Sequence, residues 1–144
     1  MVYTNWQFPS HKNLVHEYQR EWLDKSVNKI YGDFYKSAEE FILSCQFSSF
    51  ETISHERDNR MANRSHTKTK EQLINMIKHF RSYPKFRNEQ TIENLYFRFA
   101  NNLEMDMPIV VADERGNERI LGGNTRMDVA FQLGIQPKAI ILKV

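Results

Sequence analysis

The sequence contains few of the residues that cross-link or interrupt a chain. Its 144 residues include one cysteine, four prolines and five glycines. A single cysteine, Cys45, excludes an internal disulfide and suits a reducing compartment. Because Phe41 and Ile42 precede it at helical spacing, we expect Cys45 to be a small buried apolar residue rather than a nucleophile.

Long apolar runs are also missing from the sequence. No stretch approaches the roughly 20 apolar residues that cross a membrane as a helix. The N-terminus lacks a basic start followed by an apolar segment, so we expect no signal peptide and no membrane partner. The expected location is the cytoplasm, or the host's cytoplasm if a phage encodes the protein. Hydrophobic residues make up 40% of the chain, enough for the core of one domain.

The charge is nearly balanced overall but uneven along the chain. The net charge is +2, yet residues 51–87 carry nine basic and four acidic side chains, and both flanking segments are slightly acidic. A basic zone of this kind attracts polyanions such as DNA. The basic residues selected as candidate nucleic-acid contacts are Arg57, Arg60, Arg64, Lys68 and Lys70. The alternative is an ordinary solvated surface. His55 and His66 lack the spacing of metal ligands.

Apolar residues recur at helical spacing before residue 105, which predicts four helices. The first begins at Pro9-Ser10, and the second is capped near Asp33. Thr69 caps the third, and the fourth runs from about Thr91 and turns Leu103 inward. Residues 48–68 lose the apolar period, which predicts a mobile loop or a frayed helix. The aromatic content of the helices indicates that they pack on the C-terminal part of the chain.

The last third of the chain predicts strand, strand, helix, strand. Residues 107–112 and 139–142 are rich in β-branched and aliphatic side chains. Residues 113–117 predict a hairpin turn, and residues 118–121 form its returning strand. The predicted fold class is therefore α+β, with a helical region at 1–81 and a mixed-sheet domain at 82–144.

A glycine-rich turn lies between the returning strand and the helix. Gly122 and Gly123 allow positive φ and a close approach of the backbone to a ligand. Asn124 or Thr125 can cap the helix that follows. The first amides of that helix favour an anion, and Arg126 adds a guanidinium suited to phosphate. The turn therefore predicts a phosphate site, although such glycines also occur in simple turns.

With these elements in place, the sequence from about residue 82 to 144 resembles the ParB/sulfiredoxin superfamily. The shared features are an apolar strand beginning near Pro108, a hairpin that returns into a Gly-x-x-Arg turn, and a helix and closing strand. Gly123 and Arg126 match the shared glycine and arginine. Asn124 stands where sulfiredoxins place their catalytic cysteine, so reductase chemistry is excluded. The variant turn is most similar to that of short ParB-like proteins of phages and mobile elements.

The resemblance implies that the turn holds nucleotide phosphates. Residues 122–126 would bind ATP or another NTP, and Arg126 would neutralise charge on the transferred group. Related kinases carry an acid on the connector before the first helix of the domain, which makes Glu89 the first candidate catalytic carboxylate. Arg87 and Asn88 would touch the same phosphates. Asp128 is the weaker candidate, as a ligand for Mg²⁺.

Three functions follow from the sequence. The first is an NTP-dependent enzyme, a kinase or NTPase, that moves or removes phosphate and acts on DNA or a modified base. The second is a DNA-binding protein that kept the fold and lost turnover, since the glutamate of partition proteins is missing from the turn. The third is a nuclease, which no paired-acid or histidine-rich pattern supports. A homodimer is a further open alternative.

Overall fold

The computed structural model describes residues 3–23, 35–61, 69–79 and 89–144. Within these ranges the chain has a mixed α+β fold with six short or medium strands. The strands are β1 Trp6–Gln7, β2 Ser49–Thr52, β3 Met105–Asp106, β4 Ile109–Ala112, β5 Glu118–Gly122 and β6 Lys138–Lys143. The α-helices in the same ranges are α1 His11–Glu17, α2 Ala38–Gln46, α3 His55–Asn59, α4 Lys70–His79, α5 Glu89–Ala100 and α6 Asn124–Gln132.

Four strands form the central sheet, in the order β2-β6-β4-β5. β4 and β5 are an antiparallel hairpin, whereas β4 and β6 run parallel. A parallel pair needs a crossover connection, and α6 supplies it between β5 and β6. β2 is an edge strand that pairs antiparallel with β6. The predicted order of strand, strand, helix, strand in the last third is confirmed.

Helices cover both faces of the sheet, which is why β4 is apolar on both sides. Ile109 and Val111 face α1 and α2, where they pack with residues such as Phe41. Val110 and Ala112 face the opposite way, where Met127 of α6 and Ile53 cover them. The prediction that the N-terminal helices pack on the C-terminal sheet is confirmed.

A third apolar cluster joins the outer side of α6 to α4 and α5. It contains Leu73, Ile92 and Phe99, together with Val129 and Ala130 of α6. Tyr3 and Met105 belong to the same cluster, and the Tyr3 hydroxyl donates to the carbonyl of Leu103. The N-terminal segment is thereby attached to the end of α5, and β1 pairs in parallel with β3.

Serine and threonine side chains begin the helices as expected for N-caps. Ser10 Oγ accepts from the amide of Asn13, so the predicted start of the first helix is confirmed. Thr69 Oγ1 accepts from the amide of Gln72, and Gln72 Oε1 accepts from the amide of Thr69 in return. This reciprocal pair is a capping box, and it confirms the predicted start of the third helix.

Three of the predicted elements are corrected by the structure. The second helix begins at Ala38 with Ser37 as its N-cap, not near Asp33, which lies outside the described residues. The segment 48–68, predicted as a mobile loop or a frayed helix, contains the short helix α3 and also β2, which depends on a partner strand far along the chain; residues 62–68 lie outside the described ranges. Leu103 is exposed, because α5 ends at Ala100 and Asn102 then takes a positive φ of 51°.

No helix in the described ranges is long and apolar enough to cross a membrane. The proposed boundary near residue 82 stays a prediction, since residues 80–88 lie outside the described ranges. The apolar spacing predicts that the first helix continues to Ile30 and that Tyr83-Pro84 ends the third; both positions lie outside the described ranges.

Candidate functional site

The glycine turn connects β5 to α6 without a side-chain cap. Gly123 is the N-cap residue, and its φ of +94° and ψ of 22° place it in the left-handed region. The amide of Met127 donates to the carbonyl of Gly123 at 2.9 Å, which starts the helical ladder. The predicted capping by Asn124 or Thr125 is therefore wrong. A residue with positive φ is needed at the cap, so glycine takes that position and both polar residues enter the first turn.

Both glycines leave room for side chains from elsewhere in the protein. A Cβ on Gly122 would overlap the carboxyl group of Glu17, at 2.7 Å from its Cδ. A Cβ on Gly123 would lie 2.9 Å from Nη2 of Arg126 and 2.9 Å from Cβ of Pro108. The close approach predicted from the glycines is thus made by the protein's own acid and arginine.

A polar cleft of about 250 Å³ lies where α1 passes the end of the sheet. Its walls come from α1, from the segment around β3 and β4, and from the first turn of α6. The lining residues are Pro9, Asn13, His16, Glu17, Arg20, Asp106, Met107, Ile109 and Arg126. The cleft therefore combines two arginines, two carboxylates and a histidine.

Arg126 is the member of this set that lacks partners. Its Nε is shielded from solvent and has no hydrogen-bond partner in the described part of the chain. Burial lowers the pKa of Arg126, and the negative charges of Glu17 and Asp106 oppose that shift. Neither carboxylate forms an ion pair with it among the described contacts. A shielded donor without an acceptor is unfavourable by roughly 1–3 kcal/mol, and more for a charged group.

Glu17 lies beside Arg126 and is almost fully buried, with 8% of its surface exposed. Its Oε1 accepts from Nη2 of Arg20 at 2.9 Å. Its Oε2 is shielded and has no partner among the residues that the structure describes. Burial raises the pKa of Glu17, while the charges of Arg126 and Arg20 act in the opposite direction. Two residues of the cleft therefore have unsatisfied groups among the described residues. Oε2 of Glu17 lacks a donor, and Nε of Arg126 lacks an acceptor.

Asp106, the other carboxylate of the cleft, is already used by the fold. Its Oδ1 accepts from Nε2 of Gln7 at 2.9 Å, and its Oδ2 accepts from Nδ2 of Asn13 at 2.7 Å. These bonds hold the start of α1 against β3. Asp106 therefore fixes the wall of the cleft and adds negative charge near Arg126.

The backbone of α1 changes its winding at this place. Beyond Glu17 the helix continues as a π-helical segment, Tyr18–Leu23, with Tyr18 and Trp22 buried. π-Helical turns occur frequently at functional sites. Here the change places Glu17 at the end of the α-helix and Arg20 in the wider segment, with both side chains on the cleft.

The predicted phosphate residues lie together at the turn, but only Arg126 lines the cleft. Asn124 and Thr125 are half-buried in the first turn of α6. Asp128 is buried on a different side of α6, near Tyr96; burial raises the pKa of Tyr96, and the charges of Glu93 and Asp128 add to that shift. As a ligand for Mg²⁺ it would act away from Arg126. In the described ranges no three histidine, cysteine or acidic residues group closely enough to hold a metal ion.

Of the connector residues proposed to lie beside the phosphates, the structure describes only Glu89. Arg87 and Asn88 lie outside the described residues, and Glu89 is the first residue of α5. Their roles stay predictions.

The basic residues proposed for DNA contact have mixed surroundings. Arg57 donates Nη2 to Oε2 of Glu118 at 2.6 Å and Nη1 to Oε1 of Glu51 at 2.9 Å. Lys70 pairs with Glu93 at 2.8 Å. Arg60 is exposed at the end of α3, whereas Arg64 and Lys68 lie outside the described residues. The structure thus shows two of these cations in ion pairs, and contact with DNA stays a prediction.

The reasoning from sequence missed the contribution of α1. Asn13, His16, Glu17 and Arg20 recur at intervals of three, one and three residues, the spacing of one helical face. Polar residues at this spacing are equally typical of the solvated side of an amphipathic helix. A signal was present, because Glu17 and Arg20 are an acid and a base at i and i+3, and they alternate with the apolar positions Tyr18 and Trp22.

Comparison with known proteins gives no significant match: no family model, no curated protein and no solved structure matches the chain.

Proposed function

We propose that this protein binds a nucleotide through its phosphates in the cleft at Arg126 and catalyses NTP-dependent phosphoryl transfer or hydrolysis. The observation that carries the proposal is the guanidinium of Arg126, whose Nε has no hydrogen-bond partner among the described residues and whose Nη2 lies close to Gly123. A guanidinium presents a rigid fork of donors that matches two phosphate oxygens. A bound phosphate would satisfy the buried donor and compensate its charge.

The surroundings of Arg126 favour a phosphate over a neutral ligand. Arg126 lies in the first turn of α6, where helix amides without intrahelical partners favour negative charge. Arg20 and the exposed His16 border the same cleft and extend the set of donors. With a volume of about 250 Å³, the cleft suits a phosphate chain better than an entire nucleotide.

The arrangement of elements also supports the proposed ParB/sulfiredoxin-like fold. The hairpin β4-β5, the glycine turn, α6 and the parallel strand β6 follow in the order that the resemblance implies. The helical half lies outside the residues that carry this resemblance, yet its helix α1 supplies one wall of the cleft. We infer that this half closes over the phosphates.

In the proposed mechanism Arg126 neutralises negative charge that develops on the transferred phosphoryl group. Because its Nη2 already lies close to Gly123 at the turn, we expect it to need little rearrangement during the reaction. Asp106, through its bonds to Gln7 and Asn13, keeps α1 in place over the cleft. The described carboxylates do not form a clear Mg²⁺ site, because Asp128 lies elsewhere and both Asp106 oxygens are hydrogen-bonded. No step here is therefore assigned to a metal ion.

The test is a phosphoryl-transfer assay with the full chain. ATP, CTP and GTP carrying a γ-label are each incubated with Mg²⁺, with and without DNA. We expect label on DNA or as free phosphate, and its loss in Arg126→Ala. Arg98→Ala is the matched control, because Arg98 donates a hydrogen bond to the carbonyl of Glu104 and does not line the cleft. No nucleotide binding and no turnover with any of the three nucleotides would contradict the proposal.

A further inference from the structure

We propose that the cleft selects a terminal phosphate that carries a proton, and that Glu17 is the residue that makes this selection. The inference rests on the proposed function and specifies its substrate class: a phosphate monoester end or free phosphate, as opposed to sulfate or a phosphodiester. Its basis is the presence on one cleft of two groups that have no hydrogen-bond partner in the described part of the chain, Nε of Arg126 and Oε2 of Glu17.

The two groups make opposite demands on a ligand. Arg126 can only donate hydrogen bonds, and an ionised Glu17 can only accept them. Glu17 is more than nine-tenths buried, so water cannot readily supply the missing donor. A carboxyl group turns easily about its last bond, so either oxygen can face the cleft while the other keeps Arg20. A fitting ligand therefore offers an acceptor next to a donor.

A terminal phosphate meets both demands at once. Its second pKa is about 6, so at pH 7 about a tenth keeps one P–OH group beside its anionic oxygens, and the cleft would select that form. The oxygens accept from Arg126, and the P–OH donates to Glu17. Sulfate and the phosphodiesters of DNA have no such proton near neutral pH. They would leave one oxygen of Glu17 without a donor and facing another anion, which is how a binding site rejects a close analogue.

The bound pair then shares one proton between carboxylate and phosphate. The charged groups facing Glu17 are Arg126, Arg20 and Glu21, with the Cys45 thiol behind it and His16 and Asp106 on the cleft. Phosphate binding should weaken as pH rises and the shared proton is lost. Sulfate should bind only at lower pH, where Glu17 itself carries the proton, and burial moves that point upward by raising the pKa of Glu17.

The experiment measures how phosphate and sulfate displace labelled ATP from the full chain, at equal ionic strength and at several pH values. We expect phosphate to compete about 100-fold better than sulfate at neutral pH, from the effect of one unsatisfied buried charge. In Glu17→Gln the new amide can donate to either anion, so the preference should fall to within a few-fold. Its dependence on pH should weaken as well.

Glu21→Gln is the matched control. It removes one negative charge from the same helical segment, and Glu21 also contacts Arg20, at 3.5 Å, but it does not line the cleft. We expect this variant to keep the preference for phosphate. Thermal melts of both variants show whether they fold. Gly122→Ala is a second variant, since its methyl group would push the Glu17 carboxyl aside, and it should also lose the preference.

The outcomes separate the two proposals. If the wild type does not bind ATP, the proposed function fails and this inference fails with it. If ATP binds but phosphate and sulfate displace it equally, or neither displaces it, the inference is wrong while the proposed function stands. A preference for phosphate that survives in both Glu17→Gln and Gly122→Ala also overturns the role of Glu17.

Discussion

Two arginines of this protein are half-buried, yet they lie in opposite chemical situations. Arg57, on α3, donates to carboxylates on β5 and β2, and its side chain is 21% exposed. Arg126, on α6, has acids nearby but no hydrogen bond or ion pair in the described part of the chain. The hydrogen bonds that Arg57 donates to Glu118 are the main cause that raises the pKa of Arg57, whereas burial lowers the pKa of Arg126.

In the proposed function the difference separates a cross-link from a binding group. Arg57 joins a short helix to two strands through its ion pairs. Arg126 lies at the glycine turn, and its Nε has no acceptor among the described residues, so we propose that a ligand supplies one. An arginine in a sequence motif therefore indicates a ligand only when the fold itself supplies no partner for its guanidinium.

Gly123→Ala should have the largest effect, because it disturbs the support of Arg126. The left-handed conformation disfavours alanine by about 1–2 kcal/mol, and the contacts with Pro108 and Arg126 add roughly 1–3 kcal/mol of overpacking. We expect the free energy of unfolding to fall by about 3 kcal/mol in a urea titration. Gly134→Ala is the control, since its φ of +72° is similar but its Cβ would meet nothing within 4 Å. Equal losses in the two variants would show that Gly123 is not constrained by its neighbours.

Arg126→Ala should weaken binding and spare the fold. Removing charged hydrogen bonds to a phosphate corresponds to about 3 kcal/mol, or about 100-fold in affinity for a nucleotide. The free energy of unfolding should change by less than about 1 kcal/mol, because the described part of the fold loses no hydrogen bond. Calorimetric titration and a denaturant melt measure the two quantities. A strongly destabilised variant would mean that Arg126 is a structural residue after all.

Arg57→Ala should give the reverse pattern, with a smaller effect. Losing its pairs with Glu118 and Glu51 should destabilise the fold by about 1 kcal/mol, since these groups are partly exposed. Nucleotide affinity should not change. Arg57 lowers the pKa of Glu51, so the wild type gains this stability above the unfolded pKa of glutamate and loses it as pH falls through the folded value. The free energies of unfolding of wild type and variant should therefore converge as the pH is lowered. A difference that stays constant down to low pH would contradict the ion pair between Arg57 and Glu51.

Most of the secondary structure of the C-terminal third could be predicted from the sequence, because the patterns that indicate it are local. The apolar run of β4, the turn that Asp113 closes and the glycine pair each depend on residues close in sequence. Asp113 Oδ1, for example, accepts from the amides of Arg115 and Asn117 at 2.9 Å. Such patterns can be found without knowing the fold.

The wall of the cleft and the edge strand could not be found in this way. β2 has an exposed and polar pattern, and it is a strand only because Phe50 and Glu51 pair with Ile140 and Ala139. Glu17 belongs to the site only because α1 crosses a turn that lies about a hundred positions later in the chain. Local patterns carry no information on such contacts, so the sequence does not indicate that Glu17 lines the cleft, and the role of Glu89 stays a prediction.

The smallest expected effect concerns Cys45, whose thiol should not react with a labelling reagent in the native protein. It is fully buried beside α1, and burial together with the nearby charge of Glu17 raises the pKa of its thiol to about 12. The native protein should not react with a thiol reagent at pH 8, whereas the unfolded chain should react completely. Rapid labelling of the native protein would show that the region around Glu17 opens. In that case water could reach Arg126 and satisfy its Nε without a ligand.

The position of β6 inside the sheet has a consequence for how the chain folds. β6 lies between β2 and β4, so residues 49–52 and 109–112 are joined only through a segment that is synthesised after both of them. Until residue 143 has emerged from the ribosome, the earlier part has a hairpin and an isolated β2 segment but no continuous sheet. We therefore expect folding to be slow and to start late, because its decisive contacts span about 90 residues. A chain shortened before residue 138 should expose its apolar faces and aggregate.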